Sequence, residues 1–363
     1  MTVRTSVVRD QIRALGVAEG FLDSSVLFAL LRLDVFERIG TESKGLDELA
    51  EEIGAHPETL ARLLNAGVVL ELLETDDRST YRLPAHVSSV LVPSADESYL
   101  GNWMRNLDYL RSALERLDQA ILTSHPTVDP AAHLGADESS TREFTLAMHN
   151  YAALRGKELA CFLDTSECAT LLDLGCGPGT YAFHLGLRNP RLELYLLDLP
   201  GVLEVAKEVQ ARFSLENEVH YLPLDALKDE IPGSYDAVLV SNTLHMLGER
   251  ESRRLIRRLY ASVNEGGSLI VQAQFLHDDR MGPRWPVLLD LIQLCITAEG
   301  RNHSVSETRA WLEAAGFSSI EYQPMTLLNT NSLIRGYRLS RAPGGSHPTE
   351  PASTLVEASA PRS

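Results

Sequence analysis

A glycine-rich run, DLGCGPGT (173–180), follows an apolar strand-like segment and precedes a helical pattern. Gly175, Gly177 and Gly179 allow a tight turn with close approach of backbone to a ligand, and the next helix offers unpaired amide N–H groups. Dinucleotide sites of the G-x-G-x-x-G type use the same device. Here the glycines run G-x-G-x-G, and Asp173 stands two residues before the first, where it repels a pyrophosphate and suits a cation. The next strand-like segment ends in LLDLPGV and places Asp198 23 residues beyond Gly175, at the spacing of an acid that accepts ribose hydroxyls. The third ends in PLDAL, which brings Asp225 toward an adenine edge. A separate candidate lies in LVSNTLHML (239–247), where His245 interrupts an apolar and small-polar run. An imidazole of pKa near ~6.5 can take the proton of a phenol of pKa near ~10 as the phenol attacks.

The elements that position these residues follow from periodicity. Apolar segments at 170–175, 192–199, 219–225, 235–242, 267–275, 319–325 and 332–339 alternate mostly with helical patterns. That alternation predicts an α/β fold, a Rossmann-like, doubly wound and mainly parallel seven-stranded sheet with helices on both faces. His245 falls just past the fourth strand, at the carboxyl edge where open α/β sheets build their sites. A lone histidine is otherwise read as a hydrogen-bonded core residue, and its position favours function. The first 100 residues read differently. Helical patterns at 24–39, 44–54 and 56–74 precede a small hairpin at 75–85, a winged-helix layout. Its last helix offers Arg62 against Glu58 and Glu71, so a DNA-reading role is disfavoured and packing against a second subunit preferred. Residues 101–163 form a helical connector with a loop at 124–140, residues 164–340 the sheet domain, and the Pro/Ser/Ala/Gly-rich stretch 341–363 a disordered tail.

Three carboxylates around one nucleoside, with no cation to hold phosphate, point to a sulfonium nucleoside, S-adenosylmethionine. The set DLGCGPGT, LLDLPGV and PLDAL resembles that of class I S-adenosylmethionine-dependent methyltransferases. With the winged-helix front end, residues 15 to 340 resemble the small-molecule O-methyltransferases typified by plant caffeic acid and isoflavone enzymes and bacterial antibiotic-tailoring enzymes. By that resemblance Gly175, Gly177, Asp198 and Asp225 hold the cofactor, and Asp173 joins them on the charge argument above. Ser241 occupies the place of a cofactor-contacting lysine, and Leu244-His245 matches a motif whose histidine is the general base. Two acids that flank the base in this family fall at Ala273 and near Asn302. Gln272, Gln274 or Asn302 then takes over the orienting role, with Asp290 and Glu299 as other stand-ins.

The resemblance also assigns the acceptor pocket. Phe144 and Met148, four apart on one helix, cover the acceptor. WPVLLDLIQLCITAEG (285–300) supplies another wall through Trp285, Leu289 and Ile292, and Asn302 lies beside it. NWMRNLDYL (102–110) closes the far side, and His149 is a reserve base. The apolar wall favours a flat aromatic or polyketide-like hydroxyl as acceptor. Methylation of carbon or nitrogen, a reaction that uses the cofactor without methyl transfer, and a winged-helix regulator are the alternatives.

Bulk properties agree. Acidic residues outnumber basic ones 50 to 33, for a formal charge of −17, which opposes nucleic-acid binding. No run approaches the ~18 to 20 consecutive apolar residues of a membrane span. The N-terminus lacks the apolar core of a secretory signal, and Cys161, Cys168, Cys176 and Cys295 show neither a metal-ligand pattern nor a disulfide framework. A cytoplasmic homodimer without a metal is the expectation. HDD (277–279) and RRLIRR (253–258) read as solvent-facing.

Overall fold

The computed structural model describes residues 2–93, 98–130, 137–325 and 331–340. The tail expected at 341–363 lies outside them, as does part of the loop at 124–140. The N-terminal part comprises α1 (Thr2–Glu19), α2 (Phe21–Arg32), α3 (Val35–Ile39), β1 (Ser43–Gly45), α4 (Leu46–Ile53), α5 (Pro57–Val69), β2 (Glu74–Thr75), β3 (Thr80–Arg82) and α6 (Ala85–Leu91). The strands form a small sheet in the order β1-β3-β2. The β2–β3 turn is closed by Asp77, whose carboxylate accepts the amides of Ser79 and Thr80 at 2.9 and 2.8 Å. Phe28, Leu31, Phe36, Leu49, Leu64 and Tyr81 make the local core, each worth about 1.5–3 kcal/mol if fully buried.

Two expectations change here. The helix expected at 24–39 is broken at Leu33–Asp34, with Asp34 at φ 54°. Its periodicity runs through the break because Val35, Phe36 and Ile39 of α3 enter the same core. The stretch Val7–Arg32 is also long and apolar enough, by length and composition, to cross a membrane. Arg9, Asp10, Arg13, Glu19 and Asp23 interrupt it, so a search for uninterrupted apolar runs passes over it. Little of it is buried, and Val7, Val8, Ile12, Leu15, Val17, Phe21 and Leu22 are exposed.

A helical connector follows: α7 (Gly101–Leu114), α8 (Leu117–Thr123) and α9 (Glu138–Phe162). Asp137 caps α9, accepting the amides of Ser139 and Ser140. The chain then alternates through β4 (Thr170–Leu174), α10 (Thr180–Arg188), β5 (Glu193–Asp198), α11 (Pro200–Gln210), β6 (Val219–Pro223), β7 (Tyr235–Ser241), α12 (Glu249–Leu259) and β8 (Val263–Ala273). It closes with α13 (Arg284–Ile296), α14 (Val305–Ala315), β9 (Ser318–Pro324) and β10 (Ser332–Tyr337).

All seven expected strands form, in the order β6-β5-β4-β7-β8-β10-β9. The first five in that order pair in parallel, and β10 runs antiparallel to both β8 and β9. Both Leu171 and Leu172 of β4 are fully buried, as a strand covered on two faces requires. From β4 the chain steps outward to β5 and β6, then returns to β7 on β4's other side. This reversal opens a crevice at the carboxyl ends of β4 and β7.

Candidate active site

The glycine loop is built by backbone conformation. Gly175 and Gly177 take φ of 66° and 53°, which side-chain-bearing residues avoid. Gly175 and Cys176 donate their amides to the Leu197 carbonyl at 2.8 and 3.2 Å, tying the loop to β5. A Cβ on Gly175 would meet Thr243 Oγ1 at 2.9 Å, so the loop lies tight against the segment after β7. A Cβ on Gly177 would meet nothing within 4 Å. The space over Gly177 is open where a ligand would rest.

The three carboxylates have three different environments. Asp198 bridges loop and strand: Oδ2 accepts the Gly177 amide at 2.8 Å and Oδ1 the Leu199 amide at 2.7 Å. Burial raises its pKa, those amides offset part of the rise, and Asp225 adds to it. Asp173 is buried, and neither of its oxygens has a well-formed hydrogen bond. Burial and the charge of Asp198 push its pKa up to about 7, against a small pull from the Ala182 amide. Asp225 accepts the Leu227 amide at 2.9 Å and pairs with Lys228 at 2.7 Å. Burial works to raise its pKa, but Lys228 and the nearby amides prevail and hold it below the ordinary value.

Beyond β7, Ser241 donates its hydroxyl to Gln272 Oε1 at 2.8 Å, across paired strands. Asn242, at φ 51°, points Nδ2 at the Tyr181 hydroxyl (3.4 Å) and at Ser241 Oγ (3.3 Å). The sequence reading passed over Asn242 and Tyr181. A left-handed asparagine just after a strand is the signal that marks the first.

His245 sits in a 3-10 turn, Leu244–Met246. Its Nδ1 is buried without a partner, and burial, reinforced by His303, pushes its pKa down to about 4. His303, also absent from the sequence reading, backs this turn: its Nε2 lies 3.1 Å from the Leu244 carbonyl and 3.3 Å from Ser252 Oγ. Gly300 packs on the same turn, since a Cβ there would meet the His245 carbonyl at 2.8 Å. Asn302 lies between these two contacts yet is anchored elsewhere. Its amide donates to Asp290 Oδ1 and its Nδ2 to the Pro286 carbonyl, both at 2.6 Å. The hydrogen bond expected from Asn302 to the imidazole is therefore replaced by bonds to α13. Gln274 Nε2 donates to the Tyr151 hydroxyl, and Gln272 is taken by Ser241. Glu299 is exposed.

The residues expected to line the acceptor differ in burial and in what they pack against. Phe144, Met148 and Trp285 are half-buried. Leu289 and Ile292 face the other way, into a core with Leu110, Ala113 and Cys295. The apolar pattern of α13 reads the same for a pocket wall as for a helix–helix contact. From the 102–110 stretch, Trp103 packs on Tyr151 at 4.7 Å, beside the Gln274 contact. His149 Nδ1 meets Thr180 Oγ1 at 2.9 Å, at the start of α10. No group of three or more His, Cys, Asp or Glu residues arranged for a metal occurs among the described residues, and Asp278 accepts the Ser306 hydroxyl at 2.6 Å.

Residues 122–318 match the profile of the O-methyltransferase domain, and residues 15–94 that of the O-methyltransferase dimerisation domain. The tetracenomycin polyketide synthesis 8-O-methyl transferase TcmO of Streptomyces glaucescens is 30% identical over 311 residues, covering 83% of this chain and 89% of its own. The 3-hydroxy-5-methyl-1-naphthoate 3-O-methyltransferase of Streptomyces sahachiroi is 26% identical, over 89% of this chain and 94% of its own. Among solved structures, human N-acetylserotonin methyltransferase in complex with SAM superposes with a TM-score of 0.81 at 23% identity, over 91% of this chain and 98% of that one.

Proposed function

We propose that this chain, which belongs to the O-methyltransferase family, binds S-adenosylmethionine over the DLGCGPGT loop and methylates a hydroxyl of a small aromatic or polyketide-like molecule. The observation that carries the reading is the pairing of the open face over Gly177 with Asp173 and Asp198, two buried or half-buried carboxylates bonded to amides or to nothing and not to a cation. Asp173 is buried without a counter-charge, and a cationic donor supplies one. Asp198 holds the loop through both oxygens and keeps lone pairs for ribose hydroxyls. Asp225 serves the adenine end, and Ser241 lines the floor below.

When bound, the donor supplies an electrophilic methyl on sulfonium sulfur. The chain's own part is positioning, exclusion of water and management of one proton. Phe144, Met148 and Trp285 hold the acceptor's flat face, with Leu289, Ile292 and Asn302 fixing the helix and loop behind it. His245 faces the acceptor oxygen and takes its proton, while His303 and Gly300 fix the turn. The names of the two Streptomyces relatives, a polyketide and a naphthoate enzyme, support an aromatic acceptor. Residues 1–100 pair two subunits, 101–163 help enclose the acceptor, and 164–340 hold the donor. The exposed apolar side chains of α1 and α2, together with the dimerisation-domain match, support a homodimer. Four free cysteines suit a reducing cytosol.

The test has two stages. Calorimetry with S-adenosylmethionine and its demethylated product reads donor binding, and label in the methyl group then reports transfer to hydroxylated aromatics. On an ordinary phenol such as 2-naphthol, His245→Ala lowers turnover by ~10²-fold or more with donor binding unchanged. Equal turnover removes the base role, and absence of binding heat removes the whole reading.

A further inference from the structure

We infer that the acceptor hydroxyl is acidified by its own ring, as in a hydroxyquinone or a phenol conjugated to an acyl carbonyl, because His245 works here among neutral or already committed partners. This rests on the methyl-transfer reading above and specifies its substrate class.

From α13, Asp290 spends Oδ1 on the Asn302 amide at 2.6 Å. From the loop before α14, Asn302 is neutral and tied to the Pro286 carbonyl, and His303 is tied to the Leu244 carbonyl. Arg301 pairs with Glu307 at 2.7 Å, which also holds Arg280 at 2.6 Å. From α12, Glu249 pairs with Arg253 at 3.2 Å. Glu299 is exposed against Gly248. From β8, Ala273 stands between two neutral glutamines, one bonded to Ser241 and the other to Tyr151. An imidazolium formed at His245 therefore has a second imidazole close by and no carboxylate bonded to it. The direction of its own pKa, pushed down by burial and by His303, agrees.

A ring-acidified hydroxyl removes this difficulty. Its proton leaves to water, or to His245 at little cost, before the methyl moves. A lone pair on the acceptor oxygen then forms the new O–C bond, and the electron pair of the breaking C–S bond returns to sulfur. Positive sulfonium and negative oxygen become a neutral thioether and a neutral ether. The amide oxygens of Gln274 and Asn302, both buried without partners, accept hydrogen bonds from other donors on such a ring.

A matched pair of acceptors on one skeleton tests this in the intact protein. With labelled S-adenosylmethionine at neutral pH, kcat/KM for 2-hydroxy-1,4-naphthoquinone is expected to exceed that for 2-naphthol by ~10²-fold or more. Equal values, or preference for the naphthol, overturn the inference. Absorbance gives a readout independent of turnover: bound beside S-adenosylhomocysteine, the quinone keeps its anion band in wild type and in His245→Asn. Loss of that band on binding counts against the proposal. Ala273→Asp, at a place where the resemblance puts an acid beside the base, is checked for folding by circular dichroism and is expected to raise naphthol turnover ~10-fold while changing quinone turnover less than ~3-fold. An equal change for both acceptors refutes the role given to the missing carboxylate. Failure of the underlying methyl-transfer reading looks different, since the donor itself then gives no heat.

Discussion

Gly177 donates its amide to Asp198 Oδ2 at 2.8 Å, so the carboxylate proposed to meet the donor's ribose also shapes the glycine loop. Asp198→Ala removes that bond and the Leu199 amide bond together. Hydrogen bonds to a charged group are worth about 1.5–3 kcal/mol, so donor affinity is expected to fall by ~10²-fold or more. Titration calorimetry reads the loss. Asp198→Asn, which keeps one acceptor oxygen, is expected to lose less.

Asp173 makes stability depend on pH in an unusual direction. Its folded pKa of about 7 lies above the ordinary 3.8, so between those values the folded state binds more protons than the unfolded chain. Its contribution is intact below about pH 4, declines as pH rises through the window, and levels off above about pH 7. Asp173→Asn without donor is therefore expected to match wild type near pH 4 and exceed it by up to ~4 kcal/mol at pH 8. Denaturant midpoints across that range measure the difference. Binding a cationic donor returns the carboxyl toward ionisation, so it releases protons near pH 7 and tightens as pH rises. Calorimetry in buffers of different ionisation enthalpy detects that release.

The sequence made the donor half of this site readable because it rests on chain-local features. Three glycines and three acids end successive strands, and apolar runs announce those strands. β8 begins at Val263, earlier than its apolar run, because the segment around Gly266 pairs with Arg338 through backbone bonds that need no apolar side chain. The acceptor half is less readable. Leu289 and Ile292 belong to a helix whose inward face is set by α7, and His303 reaches the Leu244 carbonyl from 59 residues away. Neither relation leaves a spacing pattern.

His303 holds the turn that carries His245 through the Leu244 carbonyl and Ser252, with its ring edge-on to Trp311 at 4.8 Å. His303→Ala is expected to lower kcat for naphthol by ~10-fold while leaving the donor's Kd unchanged, with ~1–3 kcal/mol lost in stability. His303→Gln, which can donate from Nε2, is expected to restore part of kcat. A parallel loss in donor affinity would point to general misfolding instead.

The N-terminal helices expose Ile12 at 65% and Phe21 at 61% of their full surface. Ile12→Glu with Phe21→Glu is expected to convert a dimer into a monomer on size-exclusion chromatography with light scattering, without loss of helical signal. A monomeric wild type at micromolar concentration would remove the pairing role. Association of wild type with lipid vesicles would assign the same surface to a membrane.

The reversal of strand order between β4 and β7 also divides the molecule's freedom to vary. Hydrogen bonds that fix the donor floor, such as those from Gly175 and Gly177, run between the ends of β4 and β5. The side chains assigned to the acceptor come largely from α9 and α13, which lie outside those bonds. Substitutions in α13 can therefore change what an acceptor meets while those backbone bonds stay intact, whereas α9 is less free because His149 meets Thr180 at the end of the glycine loop.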